Sequence, residues 1–442
     1  MGGEADKMRK KNFVNNSLWI IGGKIMQMLL SLILGAISAR YLGPSNYGLI
    51  NYGASYTAIF TPIISLGLYG IIVNEIVKRP DKDGIILGSA IGMRIISSIL
   101  SSICIMIIVV IVNPNNRLLW IVTLLQCTAI LFQWCDTFNY WCQSNYNSRA
   151  AVCIQLLAYI LSSIYKIYLL VSHKSVQWFA FSMGFDYIFQ ALFYIIYFHK
   201  NGNSKLKFHW KTAKELLKQS YNYIFSSLAS VVYGQIDRLM LGIFLGAKTV
   251  GLYTAAVTIS SMWTFILSAI IDSVRPKIIE IKQNNEKMYQ KSIIQLYSFI
   301  IYFSIGVSIV ICILSKYIIW IIYGKEYLSA QVSLCILTWA TCFSFLGVAR
   351  SIWCVCEGLQ KYEKYLSILG AGLNIILNSI MIPLWGMNGA AIATLITQFA
   401  TNFGFLYFIK DMRQNSIYIA KAFDIRYILN KRLLCQVIGR KK

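Results

Sequence analysis

Apolar residues gather along this chain into long runs separated by short polar stretches. A helix needs about 20 apolar residues to cross the hydrocarbon core of a bilayer. Twelve runs reach that length, at about 17–39, 48–73, 85–112, 118–138, 150–171, 176–198, 219–245, 250–272, 292–313, 329–349, 361–383 and 387–409. The pattern predicts an all-α polytopic membrane protein of 12 transmembrane helices. Five of the six prolines, Pro44, Pro80, Pro114, Pro276 and Pro383, fall at or between the ends of these runs. Pro62 sits inside the second run and predicts a kink there.

Composition agrees with this reading. Of 442 residues, 57% are hydrophobic and 13% charged, where a soluble domain carries about a quarter charged residues. That leaves too little polar surface for a soluble protein of this size. The first apolar run follows a basic stretch containing Lys7, Arg9, Lys10 and Lys11. At about 23 residues it is longer than a signal-peptide core, so it is expected to stay as the first span.

A net charge of +24 raises the question of nucleic-acid binding, which its distribution answers. Of 41 Lys and Arg residues, 31 fall in the two terminal stretches and in the segments after runs 2, 4, 6, 8 and 10. Six fall on the opposite side, and Lys24, Arg94, Lys166 and Arg238 lie inside runs. This is a positive-inside bias. It predicts that both termini are cytoplasmic, needs no nucleic acid, and leaves some charge to attract anionic membrane lipids. The eleven cysteines are scattered, and Cys354 and Cys356 lack the two-residue spacer of a metal or redox motif. No metal site, cofactor or disulfide framework is expected.

The chain also reads as two halves. Residues 42–49 are LGPSNYGL and residues 245–252 are LGAKTVGL, each joining the first and second run of its half. The expected organisation is a cytoplasmic tail (1–16), a first lobe of helices 1–6 (17–198), a cytoplasmic linker (199–218), a second lobe of helices 7–12 (219–409) and a basic cytoplasmic tail (410–442). Duplicated six-helix lobes would be related by a pseudo-twofold axis along the membrane normal. Chance recurrence of short Gly-Leu strings is the competing explanation.

Ionisable residues deep in a span are costly and mark partners or wet cavities. At ~1.5 Å per residue, Lys24 lies ~10 Å deep, Arg94 ~14 Å and Asp186 ~15 Å. Lys24 belongs to a polar stripe with Gln27, Ser31, Gly35 and Ser38. Asp237 and Arg238 sit in the outer third of the seventh run, ~100° apart around the helix, so they do not pair with each other. Asn374 and Asn378, spaced i, i+4, suit hydrogen bonds between helices. Asp136, Lys166 and Asp272 lie near run ends, where long side chains snorkel.

Four segments carry a family resemblance: ARYLGPSNYGLINY (39–52), DRLMLGIFLGAKTVGLYTAA (237–256), YGKEYLSA (323–330) and LNIILNSIMIPLWGMNGAAIATLITQ (373–398). In order and position they resemble the Wzx-type polysaccharide flippases of the MOP (multidrug/oligosaccharidyl-lipid/polysaccharide) superfamily. The resemblance implies a transporter of the bacterial cytoplasmic (inner) membrane. It would move an undecaprenyl-diphosphate-linked oligosaccharide to the outer leaflet for O-antigen, capsule or exopolysaccharide assembly, alongside a polymerase and other assembly proteins. It implies a diphosphate-binding role for Lys24, Arg94, Asp186 and Gln27, with Arg94 paired to Asp186 when empty, or else held in a permanent structural pair with it. Asp237, Arg238, Asn374 and Asn378 become candidates for coupling or gating, with H+ or Na+ as the ion. A multidrug exporter should line its cavity with acids, and a lipid II flippase should carry two further helices. A polymerase, ligase or glycosyltransferase should place catalytic groups on a long outer loop, whereas every outer loop here is about 15 residues or shorter.

Overall fold

The structure is a computed structural model that describes residues 2–202 and 204–429, with backbone only at 2–21, 23–25, 29 and 428–429. The described residues form helices and no strand. In chain order these are α1 (Gly2–Ser65), α2 (Tyr69–Lys78), α3 (Asp83–Val112), α4 (Arg117–Phe132), α5 (Asp136–Ser144), α6 (Ser148–Val171), α7 (Val176–Asn201) and α8 (Trp210–Leu245). There follow α9 (Ala247–Met262), α10 (Thr264–Asn284), α11 (Glu286–Ile322), α12 (Gln331–Cys356), α13 (Lys361–Phe399), α14 (Phe405–Phe408), α15 (Arg413–Lys421) and α16 (Arg426–Leu429). Short 3-10 turns occupy Gln133–Cys135 and Lys325–Ala330, and a π turn occupies Ala400–Gly404.

Ten helical segments among the described residues are long and apolar enough to cross a membrane. Two of them, Met26–Lys78 and Lys361–Phe408, are much longer than one crossing needs. Each contains a glycine whose backbone no helix uses: Gly43 (φ 68, ψ 170) and Gly386 (φ 59, ψ −136). Gly246, at the position matching Gly43 in the second octet, has nearly the same conformation (φ 82, ψ 174) and separates α8 from α9. A side chain at such angles is strained, so the sequence places glycine where two helices must meet at a sharp corner. Surfaces elsewhere are those of a protein in lipid: Ile111 is 71% exposed and Val171 74%.

Some expected boundaries move. The run 48–73 is not one helix. Three residues after Pro62, α1 ends, and the chain turns through Leu66 (φ 52) and Gly67 (φ 60) into α2. The run 118–138 is interrupted by the 3-10 turn at Gln133–Cys135 and continues to Ser144 as α5. Pro276 and Pro383 lie inside α10 and α13, not at helix ends. Hydropathy marks where apolar sequence stops, whereas a helix can run on into polar sequence as long as its backbone bonds continue.

The chain divides into two compact units between Val231 and Val232. In the first, α4 packs along α7, α1 and α3, and α6 along α1 and α7. Small residues permit the closest crossings: a Cβ at Gly53 would stand 2.5 Å from Gln126 Oε1, and one at Gly184 would collide with Thr128. In the second unit α12 is central, contacting α9, α10, α11 and α13. Its core joins Leu346, Ala349 and Trp353 of α12 to Ile293, Tyr297 and Ile300 of α11.

Candidate functional site

Two polar clusters stand out, one in each unit. In the first unit Arg94, on α3, is completely buried. Its guanidinium donates to the carbonyl of Gln133 (2.9 Å) and to Thr137 Oγ1 (3.0 Å), and its charge lies over the Tyr140 ring at 5.8 Å. Its carboxylate partner is Asp136, at 3.5 Å. That distance is the outer limit of a hydrogen bond, so the attraction is mainly ionic. The 3-10 turn positions all these partners. By tightening the chain between α4 and α5 it turns the Gln133 carbonyl and the Asp136 and Thr137 side chains toward one point.

The expected pairing of Arg94 with Asp186 is therefore corrected. Asp186, on α7, accepts from Gln190 Nε2 at 3.0 Å. Counting residues estimates depth but not azimuth, and two groups at equal depth on neighbouring helices need not face each other. Asp136, expected to snorkel, is instead the charged partner of Arg94. Gln27 lies half-buried on α1. The side chain of Lys24 lies outside the described residues.

In the second unit Asp237, on α8, accepts three short hydrogen bonds: Thr394 Oγ1 at 2.6 Å, Tyr253 OH at 2.7 Å and Asn378 Nδ2 at 2.6 Å. Asn378 Nδ2 also reaches Asn374 Oδ1 at 3.0 Å. One carboxylate thus ties α8 to α9 and to both parts of α13 on either side of Gly386. Bonds to an ionised acceptor are about twice as strong as neutral ones. Asn374 Nδ2, Asn378 Oδ1 and Tyr233 OH are buried beside it without hydrogen-bond partners. Arg238 donates to Gln235 Oε1 at 2.9 Å. The structure thus brings together Asp237, Asn374 and Asn378, and adds Tyr253 and Thr394. Both additions lie within the family-like segments 237–256 and 373–398, where a search for polar partners could have found them.

A second arginine is buried as well. Arg350, counted with the basic segment after the tenth run, is 4% exposed on α12. Its Nε and Nη2 grip the two Glu363 oxygens at 3.1 Å each, and Nη1 donates at 3.1 Å to the Thr401 carbonyl and to Asn402 Oδ1. That carbonyl lies within the π turn Ala400–Gly404.

Solved structures of the same fold define the class. Lipid II flippase MurJ in an inward closed conformation superposes with a TM-score of 0.68, at 18% identity and over 95% of each chain. An inward-facing multidrug resistance MATE family transporter of the MOP superfamily gives 0.63, at 14% identity over 90% of this chain and 95% of that one. The protein is a multi-pass membrane protein with the helical fold of these transporters. It belongs to the polysaccharide biosynthesis protein family, whose family model matches residues 13–282. Among curated relatives, capsular polysaccharide biosynthesis protein CapF of Staphylococcus aureus is 22% identical over 90% of this chain and 99% of its own length. A probable low-salt glycan biosynthesis flippase, Agl15 of Haloferax volcanii, is 28% identical over 46% of this chain and 43% of its own.

Proposed function

We propose that the protein moves a polyprenyl-diphosphate-linked oligosaccharide from the cytoplasmic to the outer leaflet of a bacterial cytoplasmic membrane, as a transporter and not an enzyme. The observation that carries this reading is the family match together with full-length similarity to a capsule biosynthesis protein. The fold alone supports a multidrug or lipid II exporter equally. The family favours polysaccharide.

Counting Met26–Lys78 and Lys361–Phe408 as two spans each, broken at Gly43 and Gly386, gives twelve spans. The positive-inside bias then favours cytoplasmic termini. The shared conformation of Gly43 and Gly246 supports two duplicated six-helix lobes, and alternating access would be a rocking of such lobes about the substrate path. A diphosphate crossing hydrocarbon needs fixed cations to replace its water. Lys24 and Gln27 remain the proposed diphosphate ligands in the first lobe. Arg94, occupied by protein groups, takes the role of positioning helices, and Asp186, bonded to Gln190, stays a candidate substrate-binding residue beside them. The Asp237 cluster is the proposed coupling site, because protonating or binding a cation at that carboxylate would loosen both parts of α13 from α8.

Deleting the gene tests the direction of transport. Surface polysaccharide should disappear while lipid-linked repeat units accumulate facing the cytoplasm. Units that reach the outer leaflet at normal rates and only fail to polymerise would show the flippase reading to be wrong.

A further inference from the structure

The linker between α7 and α8 lies against α3. Lys207 N donates to the Gly84 carbonyl at 3.2 Å. Ser89 Oγ bridges the main chain of His209, accepting from its N–H at 3.0 Å and donating to its carbonyl at 3.2 Å. The strap runs over three glycines spaced one helical turn apart. A Cβ would stand 2.5 Å from the Lys205 carbonyl at Gly84, 2.6 Å from the Lys207 carbonyl at Gly88, and 2.7 Å from the Phe208 ring at Gly92. Gly84 to Gly92 spans ~12 Å at ~1.5 Å per residue. Lys205 to Phe208 can cover ~10 Å at ~3.4 Å per residue, so the strap is close to fully extended.

Extension gives the sequence meaning. Residues 205–210 read KLKFHW. In extended chain, successive side chains point to opposite sides, so Lys205 and Lys207 share one side and Leu206 and Phe208 the other. All four side chains are exposed. His209 is committed elsewhere, its Nδ1 accepting from Thr212 N at 3.4 Å at the start of α8. The glycines therefore seat the main chain of the strap and hold two exposed lysines on one side of it, about 7 Å apart at their Cα atoms.

We propose that this strap is a capture site for the headgroup of a lipid diphosphate. Lys205 and Lys207 engage the two phosphates, while Phe208, packed on Gly92, anchors the strap and exposed Leu206 is left to meet the start of the hydrocarbon tail. The inference rests on the reading of the protein as a transporter of such lipids, with residues 199–218 on the cytoplasmic side. Two lysines on a strap whose main chain is already held suit a headgroup with two phosphates better than a phospholipid with one, because the cost of ordering that backbone has been met in folding.

The test uses purified full-length protein and three probes: undecaprenyl diphosphate in detergent, inorganic diphosphate, and vesicles of phosphatidylglycerol. The variant Lys205→Gln/Lys207→Gln should weaken undecaprenyl diphosphate binding by about 30-fold, as two juxtamembrane cations imply. Phosphatidylglycerol binding should change by less than about twofold, and inorganic diphosphate should bind both proteins poorly. Gly88→Leu, which keeps both charges but lifts the strap from α3, should weaken the lipid diphosphate comparably. Equal loss for phosphatidylglycerol would make the strap a general anionic-surface anchor and overturn the proposal. Tight binding of inorganic diphosphate would assign the cations to a soluble phosphate compound and overturn it too. Unchanged binding in the lysine variant sinks the site but leaves the transport reading standing, whereas a wild-type protein that binds no undecaprenyl diphosphate counts against both.

Discussion

Arg350→Ala should cost the protein about 3–5 kcal/mol, the usual loss when one member of a buried ion pair is removed. The expected result is a large fall in the amount of monodisperse protein recovered after mild heating. Arg350 binds Glu363 through two parallel contacts and also satisfies the Thr401 carbonyl and Asn402. Its removal leaves the buried Thr401 carbonyl without that donor and the part-exposed Glu363 carboxylate without its cation. Arg350→Lys keeps the charge but not the planar fork, so it should recover only part of the loss. Arg350→Met with Glu363→Met should recover more, since replacing both partners removes the uncompensated charge. Recovery with Lys equal to wild type would show that the fork geometry is unimportant.

Arg94→Ala should be comparably damaging, and its rescue identifies the partner. Because Arg94 lies 3.5 Å from Asp136 and Asp186 is held by Gln190, Arg94→Ala with Asp136→Ala should restore folded protein appreciably. Arg94→Ala with Asp186→Ala should not. The Gln133 carbonyl stays unsatisfied in both, so rescue by Asp136→Ala should be incomplete. Detergent-solubilised yield and thermal stability read this directly. If the Asp186 double variant is the one rescued, the placement of α5 against α3 is wrong.

The helices were legible because spanning a bilayer requires long apolar runs, a constraint that packing cannot override. The corner at Gly43 and its counterpart at Gly246 were legible as matched octets. The cluster at Asp237 was half legible: Asp237, Asn374 and Asn378 were singled out by depth and spacing. The partners that complete it, Tyr253 and Thr394, are ordinary membrane-helix residues whose role depends on where α9 and α13 cross α8. What failed was azimuth and helix irregularity. Nothing in the run 118–138 announces the 3-10 turn at Gln133–Cys135, and without it Asp136 looks like a terminal residue free to snorkel. In the same way Arg350 reads as one more basic residue after an apolar run, until the fold brings Glu363 and the π turn that follows α13 around it. The glycines of α3 were visible, but their tenant, the strap at 204–209, could not be read from spacing.

The most direct test of the account is reconstitution of the purified protein into liposomes carrying a lipid-diphosphate-linked oligosaccharide in one leaflet. Leaflet transfer is read by accessibility of the sugar to an external probe, and the lipid is analysed for new bonds. The account predicts transfer well above protein-free liposomes, with the lipid-linked sugar chemically unchanged. Asp237→Asn should slow it by at least about tenfold at normal protein levels, as loss of a charge-assisted hydrogen-bond acceptor implies. Formation of a glycosidic bond, or transfer no faster than in protein-free liposomes, would contradict it.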